Sequence, residues 1–302
     1  MNNMILNDQF SHLTGKQKNL LPTEEDMLIY KKNGWYASPV ILDHALIDQA
    51  IRGAEDFYKG KTDFNFIGSE KIANDDGENL KPVMNNEFVT LQKAELKALS
   101  FHPMISAIAA LLSRSSEIRL FADSLINKTP VNESIKQGAV GWHTDKAYWP
   151  TCTSDKLLTA WIPFQDCTIE MGTLMHIDQS HLWKDESLLK SFYSFNNQDL
   201  SKLDDFLKEH KPNHKKTPLL LKKGQVSFHN CHTIHASEPN TSKVNRMALA
   251  MHLQDETNQY QKAFNKDGEL IQIGYDMLCK KDVDGNPDYS DEKIFPLLYT
   301  KL

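Results

Sequence analysis

The sequence predicts a mainly β fold with flanking α-helices: a sandwich or barrel with N-terminal helices packed on one sheet. Three observations carry that expectation. Past about residue 117, short β-rich runs alternate with turn signals: EIRLFADSLIN, AVGWHTDKAYW, LLTAWIPF, GTLMHI, QVSFHNCHTIHAS and RMALAMHLQ. This spacing suits packed antiparallel sheets, not alternating βαβ units. Before residue 115 the apolar residues keep helical spacing instead. The 302 residues are 40% hydrophobic and 25% charged, ordinary for a globular chain, and a barrel with extra helices accommodates 1–302 as one domain.

The elements follow in order. Residues 1–20 are polar and expected to be flexible. A helical buttress then spans 21–115. Pro22-Thr23-Glu24-Glu25-Asp26 reads as a helix start, with Thr23 as N-cap and Asp26 in the capping-box position; Asn33-Gly34 ends it. A short strand, WYASPVI, follows. Asp43 opens a second helix, in which Leu46, Ile47, Ala50, Ile51, Ala54 and Phe57 keep helical spacing. Residues 59–85 read as a long loop, and 87–113 as two helices broken at His102-Pro103. The β core covers 116–255, interrupted by a charged helical insert at about 185–210. Residues 256–302 read as a polar lid or tail.

Composition excludes several functions. The 34 Lys+Arg against 40 Asp+Glu leave a net charge of −6, which disfavours nucleic acid as a partner, because phosphate binding needs clustered cations. No run approaches 18 apolar residues and the N-terminus lacks a basic n-region before an apolar stretch. No membrane span or signal peptide is therefore expected, and the cytoplasm is the default address. Cys152, Cys167, Cys231 and Cys279 form no CxxC pair, which argues against thiolate zinc or redox chemistry. No oligomeric state follows from the sequence.

The chemistry starts at His143-Thr144-Asp145. On a strand, residues two apart share a face, so His143 and Asp145 could bind one ion. A lone HxD weighs little among 12 histidines, and His176-Ile177-Asp178 is a second. A third ligand must come from elsewhere. His229, His232 and His235 fall within seven residues; as one strand, His229 and His235 would share a face and His232 would point away. The residues allow a 2-His-1-carboxylate site, the arrangement of non-haem Fe(II) oxygenases, without deciding which histidine closes it. On RMALAMHLQ, Met247, Leu249, Met251 and Leu253 form a core face. The alternate set, Arg246, Ala248, Ala250 and His252, is small after its arginine. Pointing inward without a local acid, the guanidinium calls for an anion such as a dicarboxylate; at the strand mouth it would instead be solvated or pair with a distant carboxylate.

Taken together, these residues resemble the phytanoyl-CoA dioxygenase family of Fe(II)/2-oxoglutarate oxygenases, and within it are similar to ectoine hydroxylase-type enzymes. The match runs from TEEDMLIYKKNGWYA to about Gln254. It includes Gly141-Trp142-His143-Thr144-Asp145 with Trp149, LLTAWIPFQDCTIEMGTLMHIDQSH, Gly224-Gln225-Val226-Ser227-Phe228-His229, and His235-Ala236-Ser237 with Arg246 eleven residues after His235. The resemblance implies a double-stranded β-helix, the cupin-like jelly roll. It implies His143, Asp145 and His235 as Fe(II) ligands, Arg246 on the distal carboxylate of 2-oxoglutarate with Ser237 in support, Asn127 also on the cosubstrate, and Trp149 lining the pocket. Two turns depart from the family pattern: Asp178-Gln179-Ser180-His181 replaces Pro-Gly-Ser-His, and Met171 replaces an Asn before Gly172.

The implied reaction consumes 2-oxoglutarate and O2 and hydroxylates an unactivated C–H, releasing succinate and CO2. Related halogenases carry a small residue where Asp145 stands, so halogenation is disfavoured. Lys146, Tyr148, Asp123 and Ser124 are expected near the pocket mouth, where they suit a small polar substrate such as an amino-acid derivative or specialised metabolite. Lid segments are expected within 62–84, 128–140, 184–212 and 256–290. No basic cluster for a CoA phosphate is evident. Desaturation, cyclisation or epimerisation by the same apparatus is the alternative. A non-catalytic jelly-roll binding protein is the further one.

Overall fold

A computed structural model describes residues 9–68, 81–132, 137–183 and 198–301. Helix α1 (Glu24–Asn33) starts as expected: the Thr23 side chain accepts from Asp26 N, and Asp26 accepts from Thr23 N at 2.8 Å. Gly34 ends it at φ +84, a left-handed cap that a side chain would strain. Strand β1 (Trp35–Ala37) leads to α2 (His44–Tyr58), which buries Ile47, Ala50, Ala54 and Phe57. Strand β2 (Val83–Glu87) precedes α3 (Ala94–Ser100) and α4 (Pro103–Ser113), split where Pro103 occupies the first helical turn.

The jelly roll is made of β3 (Glu117–Lys128), β4 (Val140–His143), β5 (Leu158–Pro163), β6 (Leu174–Ile177), β7 (Lys216–Pro218), β8 (Ser227–Asn230), β9 (His235–Ser237) and β10 (Arg246–Asp255), with β11 (Leu297–Thr300) at the C-terminal end. The large sheet has the order β1-β8-β5-β10-β3-β11, with β2 also on β3; the small sheet has the order β4-β9-β6-β7. Every pairing is antiparallel. From β3 to β10 the chain alternates between the two sheets except at β6 and β7, which pair as a hairpin in the small sheet, and so a double-stranded β-helix closes around an interior.

One face of the large sheet carries the main core. Leu249, Met251 and Leu253 of β10 pack there with Ile105, Ile108 and Leu112 of α4. Truncating fully buried Ile108 to Ala would cost about 2–5 kcal/mol. The other face looks toward the small sheet, and the space between them holds the site. Residues Ala94–Ser113, which form α3 and α4, are together long and apolar enough to cross a membrane by length and composition only. Here 67% of that window is buried inside the fold.

Three segments differ from the sequence expectation. Residues 1–8 lie outside the described residues, but Phe10 and Leu13 are buried in the main core, and Phe10 stacks on Tyr299. The segment 256–302 is more than a tail: Tyr275, Tyr289 and Phe295 are buried, and β11 pairs with β3. Of the insert at 185–210, helix α5 (Ser201–His210) is formed and residues 184–197 lie outside the described residues.

Candidate metal centre

His143 ends β4, and the chain then turns sharply through a 3-10 segment starting at Asp145. Beside it, β9 places His235 directly opposite His143. Ligand atoms of His143, Asp145 and His235 all lie within 4.8 Å of one another, and all three residues are buried. His143 Nδ1 lies 2.7 Å from Gly141 O, and His235 Nδ1 lies 2.9 Å from Thr233 O. A carbonyl only accepts, so each Nδ1 carries the proton and each Nε2 presents a lone pair. Burial keeps both imidazoles neutral by lowering their pKa. Burial pushes Asp145 upward, but the facing His235 and the His229 hydrogen bond outweigh it and hold the carboxyl well below its usual range. Two neutral imidazoles and one carboxylate are the donor set that suits Fe(II).

The expectation of one strand through the three clustered histidines is corrected. His229 sits on β8 of the large sheet and His235 on β9 of the small sheet, with a turn between them. His229 therefore reaches the centre from the opposite wall, and its Nε2 donates to Asp145 Oδ2 at 3.2 Å. His232 pairs with Asp155 at the surface. His176 of the second HxD is fully buried beside His229, on strand β6. Thr159 on β5 donates to Asp145 Oδ2 at 2.6 Å and meets His252 Nδ1 at 2.8 Å. Thr159 was not singled out from sequence, because no local motif marks a threonine as the support of a carboxylate fourteen residues earlier.

Beyond this cluster stands a buried arginine. Arg246 is 2% exposed, with Nη2 donating to Gly172 O at 3.3 Å and its guanidinium over the Trp161 ring. Burial lowers its pKa to about 10, which leaves it charged at neutral pH. Its Nε is buried with no partner among the described residues. Gly172 has φ +59, and a Cβ there would meet Glu238 O at 2.1 Å, so only glycine brings this carbonyl to the arginine. Lys128, fully buried, donates to Ser237 Oγ at 2.6 Å, to Glu238 O at 2.6 Å and to Ser237 O at 3.3 Å. An ammonium only donates, so Ser237 accepts from it and its own proton is free to point elsewhere. The buried Arg246 Nε–H is therefore a donor without an acceptor among the described residues, and Ser237 lines the same cavity, an arrangement a carboxylate would satisfy.

These groups share one cavity of about 500 Å³. His143, Asp145, His235, Arg246, Ser237, Trp149, Tyr148 and Ser124 all line it. Three expected residues do not. Asn127 and Asp123 lie opposite Met247 and Met251, so they share the core side of the sheet, whereas Ser124 and Ile126 lie opposite Ala250 and Ala248 on the cavity side. Asp123 instead accepts backbone N–H groups from Val89 at 2.7 Å and Thr90 at 3.1 Å. Lys146 donates to the carbonyls of Cys152 and Ser154 and braces a loop. At the altered turn, Gln179 takes φ +65, the conformation that glycine ordinarily serves.

Comparison with known proteins places this geometry. The family model described as phytanoyl-CoA dioxygenase (PhyH) matches residues 30–248. A non-heme α-ketoglutarate-dependent carbocyclase, SnoK from nogalamycin biosynthesis, aligns at 23% identity over 91% of this chain and 96% of its own, with a TM-score of 0.66. The epimerase SnoN, solved with Fe3+, α-ketoglutarate and nogalamycin RO, aligns at 20% identity over 91% of this chain and 98% of its own, with a TM-score of 0.64. EctD from S. alaskensis, solved with 2-oxoglutarate and 5-hydroxyectoine, aligns at 15% identity over 86% of this chain and 84% of its own, with a TM-score of 0.63. At these identities the likeness is one of fold. No curated protein matches.

Proposed function

The chain belongs to the phytanoyl-CoA dioxygenase family and is an Fe(II)/2-oxoglutarate-dependent enzyme, and from that premise we propose that it hydroxylates an unactivated C–H of a small polar molecule. His143, Asp145 and His235 would hold Fe(II), while Arg246 and Ser237 would take the distal carboxylate of 2-oxoglutarate. The observation that carries this reading is the buried Arg246 Nε–H, without a partner among the described residues, in the same cavity as the His-Asp-His cluster. When bound, iron with 2-oxoglutarate and O2 supplies the oxidising chemistry, one oxygen atom going to succinate and the other to the substrate carbon as hydroxyl, with loss of CO2.

The chain's residues position and shield. Thr159 and His229 hold the Asp145 carboxylate in one orientation. Gly141 O and Thr233 O fix both ligand rings. Trp149 and Trp161 wall the cavity. The test is an anaerobic mixture of protein, Fe(II) and 2-oxoglutarate. A weak visible charge-transfer band is expected, together with succinate release on adding O2; a protein showing neither is not this enzyme.

Rearrangement chemistry is the second reading, supported by the carbocyclase and epimerase folds above. Product mass separates the readings. A hydroxylated product gains one oxygen atom, a cyclised or desaturated one loses two hydrogens, and an epimer is unchanged.

A further inference from the structure

We propose that His252 is a positioning residue for the metal centre: its Nδ1–H fixes the Thr159 hydroxyl, which in turn commits Asp145 to offer a single oxygen to Fe(II). The proposal rests on the reading above that His143, Asp145 and His235 hold the iron. It extends that reading to a side chain one hydrogen-bonded residue removed from Asp145.

Strand register brings the groups together. His229 on β8 lies directly opposite Thr159 on β5, and Thr159 lies directly opposite His252 on β10. The three side chains therefore form one row across three neighbouring strands, on one face of the large sheet. That face looks toward the small sheet, and all three residues line the cavity. Asp145 enters from the other wall, just past the end of β4 in the small sheet. Its Oδ2 meets the row, at 2.6 Å from Thr159 Oγ1 and 3.2 Å from His229 Nε2. Its Oδ1 lies 3.5 Å from His235 Nε2, on the side of the clustered donor atoms.

The protons assign a direction to each bond. A threonine hydroxyl has one proton and a carboxylate has none, so Thr159 donates to Asp145. The 2.8 Å contact between Thr159 Oγ1 and His252 Nδ1 must then be a donation from Nδ1–H. The opposite tautomer of His252 would take the threonine proton for itself and leave Asp145 Oδ2 to His229. His252 thus decides where the Thr159 proton goes. The Trp149 ring, T-shaped against His252 at 4.8 Å, holds the imidazole plane. With Thr159 and His229 both donating to Oδ2, Oδ1 is the oxygen left for a metal. A carboxylate bound through one oxygen keeps open a position that a bidentate one would take.

The test is an anaerobic Fe(II) titration of the wild-type protein and its variants, read as affinity by calorimetry. His252→Phe keeps a ring beside Trp149 and removes the N–H. Its Fe(II) affinity is expected to fall about tenfold, as when a ligand loses an outer hydrogen-bond partner. His252→Asn is expected to restore most of that loss, because its amide N–H takes the place of Nδ1–H. His252→Gln, whose amide reaches the Nε2 position instead, is expected to restore none. Because His252 acts through Thr159, adding His252→Phe to Thr159→Val is expected to cost nothing beyond Thr159→Val alone. Unchanged affinity in a folded His252→Phe, equal affinity in the Asn and Gln variants, or losses that multiply in the double variant overturns the proposal. Should His252→Phe fail to fold, the comparison of Asn with Gln decides. A wild-type protein that binds no Fe(II) overturns the reading of the metal centre, and this proposal with it.

Discussion

Arg246 and Lys128 face each other across the β10–β3 pairing, both buried and both cationic side chains. Burial and the neighbouring guanidinium together push the Lys128 pKa well below its ordinary value. Such a pair is unfavourable alone, and it becomes coherent when a dianionic cosubstrate lies beside it.

Lys128→Met is therefore expected to raise the KM for 2-oxoglutarate about tenfold, because Ser237 loses the partner that orients its hydroxyl. The kcat should change little, and the melting temperature should hold or rise as a desolvated cation is removed. Steady-state kinetics and a thermal melt check this.

His143→Ala removes one of the three clustered donors. The anaerobic charge-transfer band and succinate release are both expected to vanish. Circular dichroism should show the fold retained, since the cavity already surrounds this side chain.

Thr159→Val keeps shape and deletes the hydroxyl between Asp145 and His252. Fe(II) affinity is expected to fall about 10–100-fold, as for lost partners of other ligand carboxylates. Metal titration followed by the same band measures it.

Asp123 provides a stability test unconnected with the metal. Burial raises its pKa from 3.8 to about 6, against the hydrogen bonds from Thr90 and Val89. The folded state then binds more protons than the unfolded state between those values. The contribution is full below pH 3.8 and is lost as pH rises through about 6. Asp123→Asn should flatten that part of the stability–pH curve, a difference on the order of 3 kcal/mol by denaturant melts.

Much of the site was readable along the chain because its parts are local. The strand β10 alternates cleanly, with Arg246, Ala250 and His252 inward and Leu249, Met251 and Leu253 on the core. A period of two assigns faces wherever one face is apolar and the other is not. The HxD spacing and the eleven-residue interval from His235 to Arg246 were equally visible. So were the Thr23 cap and the break at Pro103.

The rest belongs to tertiary structure. Strand β3 is buried on both faces along most of its length, so no alternation distinguishes Ser124 and Ile126 from Asp123 and Asn127; only pairing with β10 does. The turn between β8 and β9 sends His229 and His235 to opposite walls, which one extended strand could not do. Lys128, Thr159 and Tyr275 reach the cavity or its ligands from separate stretches of chain, and sheet closure alone makes them neighbours. Sequence by itself determined the family, the donor types and the inward arginine, because those rest on residue identity and short spacing. Tertiary structure decided which side chains brace the His-Asp-His cluster and which line the cavity, because contacts between distant strands depend on register and on how the two sheets close.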